Sequence, residues 1–245
     1  MTLQSPILDP VVEGQYLIRT DPHCHIIPGI DDGSPDIEMS IRMARREAEL
    51  GVKNIVATPH GNHPAIDVNT DPDYLRGRVA KLNETFAREN IQITILPGTE
   101  VFLTSRVLKL LDRGDLMTWA DQGRYLLIEL GFQEHCNDVM SLVDEIISRK
   151  LTPIIAHPER YLWIDAEPEI FDDLTARGCI MQFNTMSING HFGADIQRRA
   201  ARLIGKADKM MFGTDSHHDA SRYFDFAAAR ERVNSWGGKV TAPPE

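Results

Sequence analysis

Few cysteines and no long apolar segment occur in this chain, and both absences narrow the kind of protein it can be. Its 245 residues include only three cysteines, without the paired spacing of a disulfide framework. We therefore expect reduced thiols and a cytoplasmic location. No apolar run is long enough to cross a bilayer, and the first ten residues lack a basic region followed by an apolar core. Neither a membrane-embedded protein nor a signal peptide is expected.

Basic residues are also in the minority. Lys and Arg number 26 against 36 Asp and Glu, which gives a net charge of -10 and argues against sequence-independent binding of nucleic acid or an anionic membrane. No Gly/Ser-rich or Pro-rich linker and no internal repeat divides the chain. The length suits one barrel-sized domain over residues 1–245, with about 15 N-terminal and about 10 C-terminal residues peripheral to it.

Short apolar runs alternate with helical patterns along most of the sequence. The runs are rich in β-branched residues, as buried parallel strands are, and they fall at 16–18, 53–58, 91–96, 124–128, 152–156, 179–183 and 209–212. Helical periodicity falls between them at 34–50, 71–90, 139–151, 168–177 and 194–206. About seven strand-helix units are predicted, which leaves an α/β barrel and a doubly wound sheet as alternatives.

Potential metal ligands follow the predicted strands. His23 and His25 come after the first run, and because side chains two apart on an extended strand share a face, two imidazoles can point to one place. Later runs lead to His60, Glu100, Glu129, His157 and the pair Asp215 and His217. Barrels build their sites from residues at the carboxyl ends of strands, so this distribution favours the barrel.

The segment from Asp21 to Ser34, D-P-H-C-H-I-I-P-G-I-D-D-G-S, resembles the opening motif of the polymerase-and-histidinol-phosphatase (PHP) superfamily. The later motifs T-P-H at 58–60, G-T-E at 98–100, the strand-end Glu129, A-H-P-E-R-Y at 156–161 and D-S-H at 215–217 follow in the same order. Within the superfamily, the chain is most similar to the manganese-dependent protein-tyrosine phosphatases of bacterial capsular and exopolysaccharide loci.

This resemblance implies a distorted (β/α)7 TIM-like barrel that binds three divalent metal ions, with manganese favoured over iron or zinc. By matching motif, the ligands fall into three groups: His23, His25, Glu100 and Asp215; Glu100, Glu129 and His157; and Asp32, His60 and His217. An imidazole and carboxylate set without a thiolate agrees with these metals.

Further residues near the motifs have less certain roles. Arg160 and Arg222 match arginines of the family and are expected to bind phosphate, with a salt bridge at the barrel rim as the alternative for each. Asp21 is expected to orient a ligand imidazole. Asp31 could exchange roles with Asp32, and His63 could help to bind substrate.

Closely spaced metal ions make hydroxide available from bound water near neutral pH and stabilise the charge of a phosphoryl group under attack. The resemblance therefore implies hydrolysis of phosphotyrosine on a protein, namely an autophosphorylated tyrosine kinase of polysaccharide assembly. The alternatives are a small-molecule phosphoesterase such as histidinol phosphatase, and a metal-binding domain without turnover. A cysteine-based mechanism is excluded, because the positions six residues after the three cysteines hold Ile30, Leu142 and Thr185 rather than arginine.

Overall fold

The computed structural model describes residues 19–66, 68, 71–219 and 226–236. The strands are β1 (Thr20–Cys24), β2 (Asn54–Ala57), β3 (His60–Gly61), β4 (Thr94–Pro97), β5 (Glu100–Phe102), β6 (Tyr125–Glu129), β7 (Thr152–Ala156), β8 (Ile180–Asn184) and β9 (Met210–Gly213). The helices are α1 (Ile37–Glu49), α2 (Pro72–Arg88), α3 (Arg106–Arg113), α4 (Val139–Ser148), α5 (Pro168–Ala176), α6 (Thr185–Asn189), α7 (Ala194–Ile204) and α8 (Phe226–Ser235).

All strand pairs are parallel, in two sheets of order β1-β2-β4 and β3-β5-β6-β7-β8-β9. β3 follows β2 directly, and β5 follows β4, with a short interruption in each case. Asn54 lies opposite Thr94 and His60 lies opposite Glu100, so the register is the same on both sides of the interruption. The two sheets therefore share two strand paths, and the nine strands fill seven positions.

Hydrogen bonds also join the first position to the last. The amide of Asp215 donates to the His23 carbonyl at 2.8 Å, and the amide of His25 donates to the Ser216 carbonyl at 2.9 Å. The segment after β9 thus lies beside β1, with Cys24 paired to Ser216. The predicted distorted seven-stranded barrel is confirmed in this arrangement.

The alternation of side chains along each strand places the site. In β6, Leu127 packs inside the ring with Ile154 of β7, whereas Leu126 and Ile128 face outward in the main core under the helices. Glu129 follows Leu127 by two residues and points to the same side as the interior. Carboxylates and imidazoles at the ends of the strands are thereby directed over the apolar interior.

The run predicted at 16–18 lies outside the described residues, within which β1 begins at Thr20. The predicted strand ends at two ligands differ from the structure for a local reason. His60 and Glu100 lie within short strands rather than after one strand end, because Pro59 and Pro97 lack the N–H that a continuous ladder needs. The sequence patterns also did not predict α3, α6 and α8. Among the described residues, no helix has the length and apolar composition needed to cross a membrane.

Candidate metal centre

The nine predicted metal ligands, all within the described residues, come from every strand position of the ring except that of β8. Eight are buried, and only Asp32 is exposed. They are His23 and His25 at the end of β1, Asp32 in the following turn, His60 in β3, Glu100 in β5, Glu129 in β6, His157 after β7, and Asp215 and His217 after β9.

His23 and His25 turn the same ring atom toward each other. Their Nε2 atoms are 3.2 Å apart. The Nδ1 atom of His23 lies 2.8 Å from the Gln182 Oε1 atom, and that of His25 lies 2.8 Å from Asp31 Oδ2. Both contacts require a proton on Nδ1, so in the neutral rings both Nε2 lone pairs point into the same space. Two ligands of one metal ion, each about 2 Å from it, lie about 3 to 3.5 Å apart, which matches this geometry.

Glu100 lies at the middle of the cluster. Its Oε2 atom is 3.3 Å from the Nε2 atoms of His23 and His25 and 3.2 Å from Nδ1 of His60, yet it forms no hydrogen bond with them. The other oxygen, Oε1, lies 2.9 Å from His157 Nε2. The two oxygens therefore face different imidazoles, which is the arrangement of a carboxylate that bridges two cations.

Asp215 completes the first predicted group. Its Oδ1 atom lies 3.6 Å from His23 Nε2 and 3.5 Å from His25 Nε2. Burial alone would raise the pKa of Glu100 and of Asp215, but the neighbouring imidazoles, His23 foremost, hold both well below their usual range. Two anionic oxygens and two imidazole nitrogens thus converge, and this set fits a divalent cation.

The third predicted group lies nearer the solvent. Asp32 Oδ1 is 3.4 Å from His60 Nε2 and 3.5 Å from His217 Nε2. The imidazole of His217 holds the pKa of the Asp32 carboxyl below its usual range. Asp31 instead contacts Nδ1 of His25 and accepts the His60 amide at 3.1 Å. The second aspartate, as predicted, is the one that reaches this pair of imidazoles.

Glu129 is the strongest sign that a cation belongs here. Its Oε2 atom is buried without a hydrogen-bond partner. Burial and the nearby Glu100 raise the pKa of Glu129 to about 8. A buried carboxylate without a partner is costly unless it binds a cation. The donors of the cluster are five imidazoles and four carboxylates without a thiolate, a set that suits manganese, iron or zinc.

The backbone around these ligands is tightly constrained. A Cβ atom at Gly33 would collide with the carbonyl oxygen and Cβ of His25, so the D-D-G turn can close only with glycine. His157 and Asp215 have φ values of 32° and 50°, in the left-handed region that non-glycine residues seldom adopt. Such strain concentrates at functional sites, where the surrounding structure fixes it.

Comparison with known proteins shows the family to which the chain belongs. The family model described as "Capsular polysaccharide synthesis, CpsB/CapC" matches residues 19–242. The chain belongs to the CpsB/CapC family. The tyrosine-protein phosphatase YwqE of Bacillus subtilis is 32% identical over 205 residues, which cover 83% of this chain and 79% of YwqE. CpsB of Streptococcus pneumoniae, also named a tyrosine-protein phosphatase, is 26% identical over 82% of this chain and 84% of its own length.

Solved structures agree with this membership. One from work on YwqE of Bacillus subtilis and CpsB of Streptococcus pneumoniae, described there as unique metal-dependent tyrosine phosphatases, superposes with a TM-score of 0.83 at 30% identity. The match covers 88% of this chain and 86% of that one. A histidinol phosphate phosphatase of Lactococcus lactis has a TM-score of 0.62 at 12% identity, covering 92% of this chain and 96% of the other, and shares the fold.

In this CpsB/CapC chain, Asp21 does not orient an imidazole, so that prediction is wrong. Its carboxylate accepts the backbone amides of His23 at 3.3 Å and Thr214 at 2.9 Å, and it also contacts the Thr214 hydroxyl. These donors occupy the carboxylate and connect β1 to the segment after β9. Asp31 and Gln182 orient the imidazoles instead.

Gln182 was missed from the sequence, although a signal exists. It is a polar residue in the middle of the predicted buried strand at 179–183. Its amide nitrogen donates to Asn184 Oδ1 at 3.0 Å, and the Asn184 amide donates to Asp215 Oδ2 at 2.7 Å. One chain of hydrogen bonds therefore fixes His23 and Asp215 together.

Of the two arginines predicted to bind phosphate, Arg222 lies outside the described residues. Arg160 donates from one terminal nitrogen to Asp215 Oδ2 at 2.8 Å. Its guanidinium carbon also lies 4.5 Å from the ring centre of Phe132 and 5.0 Å from that of Phe192. Arg160 is therefore held at the edge of the cluster by an ion pair and two aromatic rings, and its contact with phosphate stays a prediction.

Proposed function

We propose that the chain is a metal-dependent protein-tyrosine phosphatase that removes phosphate from phosphotyrosine on a protein. The observation that supports this most directly is the convergence of nine imidazoles and carboxylates above the barrel interior, with two Nε2 lone pairs and the unpartnered Glu129 oxygen directed into it. The names of the family relatives point to the same activity.

The proposed cofactor is a set of three divalent ions, with manganese favoured and iron or zinc as the alternatives. His23, His25, Glu100 and Asp215 would hold the first ion; Glu100, Glu129 and His157 the second; and Asp32, His60 and His217 the third. When bound, such ions supply a nucleophile from water near neutral pH and neutralise phosphoryl oxygens. The donor geometry supports a shared role for Glu100, because its Oε2 atom faces His23, His25 and His60 while Oε1 faces His157.

The chain's own residues would bind and orient the substrate. Arg160 keeps guanidinium nitrogens beyond the one that donates to Asp215, and a guanidinium matches the geometry of phosphate oxygens. We assign the same role to Arg222. A tyrosine leaving group has a pKa of about 10, so it needs less protonation on departure than an aliphatic alcohol does. We therefore assign no general acid.

The proposed substrate is an autophosphorylated tyrosine kinase of polysaccharide assembly, so that the enzyme regulates capsule or exopolysaccharide synthesis in the cytoplasm. Support for the role in polysaccharide synthesis comes from the family description, which concerns capsular polysaccharide synthesis. The free cysteines Cys24, Cys136 and Cys179 fit a reducing compartment such as the cytoplasm. No role for nucleic acid is proposed, because the chain is strongly acidic.

The test is steady-state hydrolysis of a phosphotyrosine peptide and of histidinol phosphate, after metal chelation and return of manganese. We expect turnover of the peptide only with metal, and its loss in Glu100→Gln. Glu145→Gln is the matched control, since that carboxylate lies on α4 and pairs with Arg149 at the surface. Preference for histidinol phosphate would reject the protein substrate, and metal binding without turnover of either compound would reject the enzyme.

A further inference from the structure

His63 lies beside the cluster but is not one of the nine predicted ligands. It is the second residue after β3, in the loop that begins at Asn62. Asn62 has a φ of 55°, and its side-chain amide donates to the Phe102 carbonyl at 2.9 Å and to the Thr104 hydroxyl at 2.8 Å. Asparagine tolerates this left-handed conformation better than most residues. The two hydrogen bonds tie the loop to the end of β5, so the position of His63 is built into the fold.

The orientation of the His63 ring is fixed as well. The ring packs edge-on against Phe102, with 5.4 Å between centroids, and lies 5.0 Å from the ring of His60. Only 19% of its side chain is exposed. Its Nδ1 atom accepts the amide N–H of Ala65 at 3.2 Å. An accepting Nδ1 carries no proton, so the neutral ring carries its proton on Nε2.

This tautomer decides what His63 can do. A protonated Nε2 has no lone pair for a metal ion, which distinguishes His63 from His23 and His25. Nε2 lies 4.0 Å from the unpartnered Oε2 atom of Glu129, too far for a hydrogen bond. The N–H thus meets no acceptor within hydrogen-bond distance in the described part of the chain, although it faces the predicted metal ligands.

We propose that His63 is a further catalytic residue, which donates its Nε2–H to a phosphoryl oxygen of the bound phosphomonoester. This inference rests on the proposed phosphatase function. Negative charge on the phosphoryl group is redistributed as the ester bond to the leaving oxygen breaks, and a donor fixed in advance stabilises that charge most in the transition state. The imidazole stays neutral throughout: it donates a hydrogen bond and transfers no proton.

The experiment compares His63→Ala and His63→Gln with the parent protein and with the matched control His135→Ala. His135 is a second loop histidine, packed on Trp163 and Glu167 away from the cluster. Each protein is loaded with manganese, its metal content is measured, and kcat and KM are determined with a phosphotyrosine peptide. The dissociation constant of inorganic phosphate, measured by calorimetry, is a readout that does not depend on turnover.

We expect His63→Ala to lower kcat about 100-fold, the lower end of the effect of removing one fixed donor to transition-state charge. KM should change less than threefold, the metal content should equal that of the parent, and the dissociation constant of phosphate should likewise change less than threefold. His63→Gln keeps an N–H donor and should recover at least part of kcat. His135→Ala should match the parent in every measurement.

Three outcomes would overturn the proposal. A loss of manganese in His63→Ala would make His63 a ligand or a support for Glu129. An unchanged kcat would show that His63 does not stabilise the transition state. A rise in KM with constant kcat would limit it to ground-state binding. Failure of the proposed function itself looks different, because the parent protein would then hydrolyse no phosphotyrosine.

Discussion

Replacing Glu129 with glutamine should stabilise the metal-free protein and destabilise the metal-loaded one. In the absence of metal, burial raises the pKa of Glu129 from 4.5 to about 8. Between these two values the folded protein keeps a proton that the unfolded chain has lost. Folding therefore takes up a proton, and the free energy of unfolding falls as the pH rises through this window. Glutamine carries no charge, so in Glu129→Gln the free energy of unfolding should not fall with pH for this reason.

The size of the effect follows from the same pKa values. From pH 4.5 to pH 7, at about 1.4 kcal/mol for each pH unit, the buried carboxyl lowers metal-free stability by about 3 kcal/mol. The buried amide of glutamine leaves N–H groups without acceptors, which costs about 1 kcal/mol. Metal-free Glu129→Gln should therefore be about 2 kcal/mol more stable than the parent at pH 7. Near pH 4.5 this advantage should disappear.

The assay is urea unfolding at pH 5 and pH 7, once with a chelator and once with manganese. With manganese the parent protein should be more stable than Glu129→Gln, because a neutral amide oxygen binds the ion more weakly than a carboxylate does. Equal metal-free stability of the two proteins at both pH values would refute the raised pKa. Greater stability of the variant with manganese would refute Glu129 as a ligand.

Three further predictions concern neighbouring residues. Gln182→Met removes the hydrogen bond that orients His23, so manganese affinity should fall about 10- to 100-fold in a metal titration, and unchanged affinity would contradict that role. Phe132→Ala removes one ring that contacts Arg160, so KM for a phosphotyrosine peptide should rise severalfold with little change in thermal stability. An unchanged KM would contradict a role of Arg160 in phosphate binding. Cys24→Ala should keep kcat within about threefold, since the thiol is buried in the core at the end of β1, and a loss comparable to that of a ligand variant would contradict the exclusion of a cysteine mechanism.

The sequence was sufficient to predict the barrel and the grouping of its polar residues. Strand-forming runs carried the β-branched signal of buried parallel strands, and each led to a polar residue at the same end of the ring. This is why His60, Glu100 and Glu129 could be placed together although they lie far apart in the sequence. The position of Asp32 in the D-D-G motif identified it, rather than Asp31, as the predicted ligand, and its contacts with His60 and His217 agree with that choice.

Contacts that depend on tertiary orientation could not be predicted in this way. Asp21 is adjacent to the first motif, but its direction depends on Thr214, nearly two hundred residues later in the chain. The pairing of Gln182 with His23 likewise requires the position of β8 relative to β1. Phe132 lies in the segment after β6, and its contact with Arg160 depends on the backbone of that segment.

The contact between β1 and the segment after β9 has a consequence for the order of events during synthesis. Of the nine predicted ligands, His23 and His25 leave the ribosome before the others, and Asp215 and His217 leave it after them. A nascent chain that ends before Met210 can pair its central strands, but it has neither the final carboxylate nor the neighbour that closes β1. Binding of the proposed first ion would therefore require the last strand to be made, and the ion would connect the two ends of the barrel.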